Sequence, residues 1–340
     1  SIVSMIASQY SENNFHTFSG GFTEGNDYDE TYFAKIVSEK AKTSHHSIFP
    51  TELDFVENIN KIIWHMDYPS AGPGVFPQYF LSNLASKNVK VVLGGQGGDE
   101  LFGGYIRYVI AYLEEAIKGS IFQNQINNKH IVTLESIIPN LSQIQSYTPL
   151  LKSFWSNDLF EEQNKRYFKL ISRNNESENL LNFDLEKQLS KDNVFERYND
   201  IFSNTDYKSY INKMTIFDIK TLLPALLHVE DRMSMANSIE SRVPLLDHRI
   251  FELAFKMPPS VKFSGGKTKY VLKNTFKNLL PKKVLNRKNK MGFPVPLNKW
   301  YKKGILRDFI FDLLKSKAFK ERGFFNAKQV EYVLDNSSNF

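Results

Sequence analysis

The strongest chemical signature in this 340-residue chain runs from Val91 to Tyr105: Val-Val-Leu-Gly-Gly-Gln-Gly-Gly-Asp-Glu-Leu-Phe-Gly-Gly-Tyr. Six of the 17 glycines lie in it, a density that a plain surface turn does not need. Val89, Val91, Val92 and Leu93 predict a buried strand. Gly94, Gly95, Gly97 and Gly98 then let the backbone turn sharply and present N–H groups to an anion with no Cβ in the way. Asp99 and Glu100 follow at once. Carboxylates repel a phosphate, but they hold Mg2+, and Mg2+ holds phosphate. The same two acids also suit the first turn of a helix, whose dipole favours negative charge. Together the parts point to handling of a nucleoside triphosphate or pyrophosphate.

Two commoner phosphate motifs are excluded. A dinucleotide fingerprint needs G-x-G-x-x-G, and Gly95-Gln96-Gly97 is followed by Glu100 where the third glycine belongs. A P-loop needs G-x-x-x-x-G-K-[ST]; Gly266-Lys267-Thr268 supplies its end, but Val261 stands at its start.

Other groups could serve the same chemistry. Ser19-Gly20-Gly21 closes an apolar stretch and reads as a strand-end turn. Glu230-Asp231-Arg232 and Glu240-Ser241-Arg242 place charges inside segments that read as apolar helices. They divide between a buried ion-pair network and a substrate or phosphate role; Arg242 has the fork that matches carboxylate or phosphate. His45-His46 is adjacent rather than spaced for a metal, and is expected to be structural or superficial.

The elements that must position these groups follow from periodicity. Ile2, Val3, Ile6 and Tyr10 fall on one helical face. Residues 15–22 predict a strand and turn; Asp29-Glu30 then precedes a helical pattern through Phe33, Ile36, Val37 and Ala41, and helices follow over 54–66 and 77–87, before the strand at 89–93. Alternating strand and helix predicts a parallel sheet flanked by helices, with ligands beyond the carboxyl ends of the strands. The fold class expected is therefore α/β, with a mostly helical C-terminal extension. Residues 1–120 form the nucleotide-binding core and 121–215 a polar helical region, with loops such as Ser172–Ser177. Residues 216–340 are helical and complete the site. Residues 268–280 predict an amphipathic helix, and short helices are expected near 305–316 and 326–335.

Composition narrows the class. At 41% hydrophobic residues, with 28 Phe and 16 Tyr, the chain can bury an aromatic-rich core. No run of 18 apolar residues suggests a membrane span. The absence of cysteine removes disulfides, thiolate zinc sites and a cysteine nucleophile. The formal charge of +6 is modest. The basic residues at Lys282, Lys283, Arg287, Lys288 and Lys290 read as a solvated face, with no interleaved aromatics to indicate a nucleic-acid partner.

The Val91–Tyr105 run resembles the synthetase domain of glutamine-dependent asparagine synthetases. The resemblance continues, in the family's order, through Val229–Ala236, Glu240–Asp247, Lys269-Tyr270-Val271-Leu272-Lys273 and Lys290-Met291-Gly292-Phe293-Pro294-Val295-Pro296. It implies an adenine-nucleotide-hydrolase-like core, ATP as co-substrate, Mg2+ at Asp99 and Glu100, and a cytoplasmic enzyme. The reaction it implies joins aspartate, ATP and ammonia through an acyl-adenylate. Ser19 and Gly20 match the strand-turn whose backbone meets adenine. Lys269 matches the lysine that stabilises the charged transition state of adenylation. Gln96 departs from the glutamate of the best-known members and from the tyrosine of relatives that close β-lactam rings, so it can orient a substrate but cannot act as a base. By the same resemblance, the pyrophosphatase loop Ser-Gly-Gly-x-Asp-Ser lies immediately before residue 1, with Ser1 its last serine. The glutaminase domain expected as a partner precedes that loop. The chain is thus expected to be a fragment, inactive alone; a homodimer is left open. Two alternatives stay open: the same chemistry on another carboxylate (a sugar acid, a peptide or a β-lactam precursor), and a catalytically silent ATP-binding module.

Overall fold

The computed structural model describes residues 1–11, 14–69, 72–122, 148–172, 180–182, 191–204, 209–262, 264, 267–287 and 292–336. Lys288, Lys290, Met291, Gly266 and most of the Ser172–Ser177 loop lie outside the described residues, as does much of 121–215.

The described residues form a mostly helical α/β structure with four short strands in two parallel pairs. β1 (His16–Gly20) pairs with β2 (Ser44–Ile48), and β3 (Val91–Leu93) pairs with β4 (Glu240–Arg242). The helices before β4 are α1 (Ile2–Ala7), α2 (Thr31–Ala41), α3 (Glu52–Met66), α4 (Val75–Ser86), α5 (Gly98–Phe102), α6 (Ile106–Phe122), α7 (Thr148–Ser156), α8 (Gln163–Ile171), α9 (Lys191–Ser203) and α10 (Tyr210–Met235). After β4 come α11 (His248–Lys256), α12 (Pro259–Lys262), α13 (Tyr270–Thr275), α14 (Lys282–Leu285), α15 (Leu297–Lys303), α16 (Ile305–Lys315), α17 (Lys317–Arg322) and α18 (Ala327–Asn336).

Several expectations need correction. The helical face at the start ends at Ala7, and Tyr10 is exposed. β3 is not a buried strand: Val91 and Leu93 are 42% and 44% exposed. Among the described residues β3 is hydrogen-bonded on one side only, so its apolar side chains lack a second neighbour. Glu240–Arg242 is a strand rather than helix, and β2 falls on the Ser-His-His-Ser-Ile segment, which carries no alternating apolar pattern. The helix expected over 268–280 is a short one, Tyr270–Thr275.

Aromatic packing supplies the core. Phe22, at the end of β1, is buried with Phe76, Tyr79, Met233 and Trp300, which brings α4, α10 and α15 together. A second cluster joins α6 to α10 through Tyr108, Phe154, Tyr167, Phe202 and Met214. Within it Arg166 and Glu114, each 2% exposed, form a two-pronged ion pair at 2.6 and 2.7 Å. Arg166 also donates to the carbonyls of Asn157 and Phe154, so the buried charges are neutralised and hydrogen-bonded.

Candidate active site

The glycine turn joins β3 to α5. Gly97 adopts φ 85°, a left-handed conformation open to glycine at no steric cost. A side chain there would also strike Leu246. The Gly94 N–H donates to the Arg242 carbonyl at 2.8 Å, extending the β3–β4 pairing by one residue. A Cβ on Gly94 would collide with the carboxylate of Glu230. Glu230 is buried and accepts from the Ser241 hydroxyl at 2.5 Å. Gly95 has open space above it, so its backbone is approachable, and Gln96 is half-buried in the same turn.

α5 is only five residues long, and burial holds it in place. Leu101 (1% exposed) and Phe102 (4%) sink into a cluster with Ile250 and Phe251 of α11 and Val271 and Leu272 of α13. A fully buried Leu or Phe is worth about 1.5–3 kcal/mol, enough to fix so short a helix. The same cluster fixes α13, and the two anchored helices bring Asp99 and Lys269 together. Lys269 caps α13 at φ 53°, an uncommon conformation for a side chain this long. Its Nζ stands 2.7 Å from Asp99 Oδ1. Both side chains are partly exposed. Gly104 lies beneath them, and a Cβ on it would overlap the Asp99 carboxylate and the Lys269 stem.

Glu100 behaves differently from its neighbour. It is 1% exposed and accepts a hydrogen bond from the Tyr105 hydroxyl. Burial, then the charge of Glu100, pushes the Tyr105 phenol far above its usual value. The phenol therefore stays protonated and remains a donor.

The remaining candidates are placed as follows. Ser19 is buried, its hydroxyl 3.0 Å from His45 Nε2 and 3.1 Å from the Ser47 hydroxyl. His45 also meets the Thr17 hydroxyl at 3.0 Å, so it links β1 to β2, as a structural histidine would. Gly20 lies under the ring of Phe293. Asp231 is exposed on α10. Glu240 and Arg242 pair with each other at 2.7 Å, both more than half exposed; residues two apart on a strand share a face. They are neither a buried network nor inside a helix. Sequence reasoning had no role for Gly104, Tyr105 or Phe293. Gly104 and Tyr105 lie in the glycine-rich run itself, which was the signal for them; Phe293 lies in the Lys290–Pro296 stretch that carries the resemblance, which marked the segment but gave the ring no role.

Which group could hold a metal follows from this geometry. No cluster of three or more His, Cys, Asp or Glu side chains occurs among the described residues. Asp99 alone is an accessible carboxylate at the turn, a donor set suited to an ion that takes its other ligands from water and phosphate rather than from a protein cage.

The asparagine synthase family profile matches residues 1–339. A glutamine-hydrolysing asparagine synthetase of Bacillus subtilis is 34% identical over 295 residues, covering 84% of this chain and 43% of that protein. A putative glutamine-hydrolysing asparagine synthetase of Mycobacterium tuberculosis is 28% identical over 315 residues, covering 87% of this chain and 43% of that protein. Another putative one, from Methanocaldococcus jannaschii, reaches 48% identity over 103 residues, covering 30% of this chain and 20% of that protein. The chain thus spans less than half the length of these curated relatives.

Proposed function

This chain belongs to the asparagine synthase family, and we propose that it carries the synthetase half of an ATP-dependent amide-forming ligase. In this reading a carboxylate oxygen of the acceptor, aspartate first among candidates, attacks the α-phosphorus of ATP. Pyrophosphate leaves and an acyl-adenylate forms. Ammonia then attacks the acyl carbon, AMP departs, and the amide remains. The observation that carries the reading is the Lys269–Asp99 contact at the glycine turn. A fixed ammonium beside the turn stabilises the extra negative charge of the pentavalent phosphorus more than the ground state.

The other residues divide the work. The N–H groups of Gly95, Gly97 and Gly98 face the turn for phosphate in an adenine-nucleotide-hydrolase-like arrangement, while that of Gly94, also expected there, is taken by the Arg242 carbonyl. Ser19 and Gly20 offer backbone to the adenine. Asp99 would hold Mg2+; when bound, that ion neutralises charge on the phosphates. Glu100, turned inward to Tyr105, braces the turn instead. Residues 1–340 contain no cysteine, so ammonia from glutamine is to be supplied by another segment or polypeptide, a glutaminase domain in the simplest case.

Gln96 favours a second reading, with the same chemistry on a different acceptor carboxylate. An amide can orient a substrate but cannot take its proton. The test is carboxylate-dependent pyrophosphate release by the gene's full-length product, with ATP and ammonia. Release driven by aspartate supports the first reading. Release driven only by another carboxylate supports the second, and none with any carboxylate contradicts both.

A further inference from the structure

The carboxyl end of β1 opens into a small cavity of about 250 Å³, its mouth included. Gly20, Gly21, Phe22, Tyr28, Phe293 and Pro294 are among the residues that line it. That figure takes in open solvent and the enclosed part is far smaller, so the place offers an exposed aromatic face for one flat ring rather than a closed pocket. The Phe293 ring lies 3.1–3.3 Å from where a Gly20 Cβ would stand, so glycine lets the ring sit close and a Cβ there would crowd it.

Phe293 is held against local preference. Its φ is 48°, left-handed for an aromatic residue, and the following proline disfavours helical backbone at this position. Both flanks are anchored. Upstream, Arg287 pairs with Glu30 and lies 4.2 Å over the Phe33 ring. Downstream, Val295 packs into the cluster around Phe22 and Trp300. A strained residue kept in place from both sides, beside a cavity at a strand's carboxyl end, is a mark of a functional position.

We propose that Phe293 is the wall on which the purine base of the bound nucleotide stacks. The inference rests on the ATP-dependent reading above and adds to it a residue that sets base affinity. An aromatic ring binds any base by its face, so Phe293 supplies affinity for the base and none for the phosphates.

The experiment is calorimetric binding of α,β-methylene-ATP and of inorganic pyrophosphate to the full-length product. For Phe293→Ala, affinity for the ATP analogue should fall about tenfold or more, the worth of one base on one ring, while pyrophosphate affinity stays within about twofold. Phe293→Trp should bind the analogue at least as well as the parent. Phe293→Leu refills the space above Gly20 without an aromatic face and should lose affinity as the alanine variant does. It decides the matter if the alanine variant does not fold. Parental affinity in either folded variant, or a parallel loss for pyrophosphate, overturns the proposal. No analogue binding by the parent overturns the ATP-dependent reading itself, and this inference with it.

Discussion

Lys269 Nζ stands 2.7 Å from Asp99 Oδ1, an ion pair between the cap of α13 and the first turn of α5. If the two act as one device, their losses do not multiply. Asp99→Asn and Lys269→Ala should each lower pyrophosphate release about a hundredfold, the scale of one preorganised charged donor. The double variant should be little worse than the poorer single one. ATP affinity should change only a few-fold. Lys269→Arg should not rescue, because the planar fork cannot place its charge at the same point. Lys267→Ala and Lys273→Ala control for lost surface charge. Fully multiplicative losses in steady-state release would show that the pair is incidental.

Gly104 makes room for that pair. Gly104→Ala puts a methyl group where the Asp99 carboxylate and the Lys269 stem now lie. Turnover should drop at least tenfold with ATP affinity nearly unchanged and the melting temperature close to parental. A variant that turns over normally would place the catalytic arrangement elsewhere.

Much of this site was legible because its chemistry is local in sequence. The turn, its glycines and Asp99 are consecutive, and periodicity located α2, α3, α4, α16 and α18 to within a few residues, though not α17 between the last two. What escaped depends on partners distant in the chain. Glu100 and Asp99 look alike in sequence, yet one is buried on Tyr105 and the other faces Lys269. β2 and β4 read as polar or helical because their pairing with β1 and β3, not their own pattern, makes them strands. Phe293 stands in a stretch marked by the resemblance, but its role was not legible because it depends on contact with Gly20, far away in the chain.

Lys262 links burial to pH. It is 1% exposed, with its Nζ 5.3 Å from the Phe255 ring centre, and burial pulls its ammonium from 10.5 down to about 8. The unfolded chain therefore holds this proton more tightly. Below about pH 8 the folded state bears the full cost of the buried charge, and stability from this group rises with pH between about 8 and 10.5. Lys262→Met should raise stability at pH 7, by up to about 3 kcal/mol, and the advantage should shrink as pH approaches 10.5. Thermal melts of parent and variant at pH 7 and pH 10 measure it. A methionine variant less stable at pH 7, or an advantage that grows with pH, would contradict this account.

If a carboxylate oxygen attacks the α-phosphorus of ATP at the Lys269–Asp99 turn, that oxygen must end in AMP. The most direct measurement follows that oxygen. Aspartate labelled with 18O in its side-chain carboxylate is incubated with ATP, Mg2+, ammonia and the full-length product, and the nucleotide is examined by mass spectrometry. AMP should carry one 18O from the acceptor, pyrophosphate should stay unlabelled, and the labelled AMP should be lost in Lys269→Ala. Asparagine formed alongside unlabelled AMP, or with ADP and labelled inorganic phosphate instead, would contradict that attack.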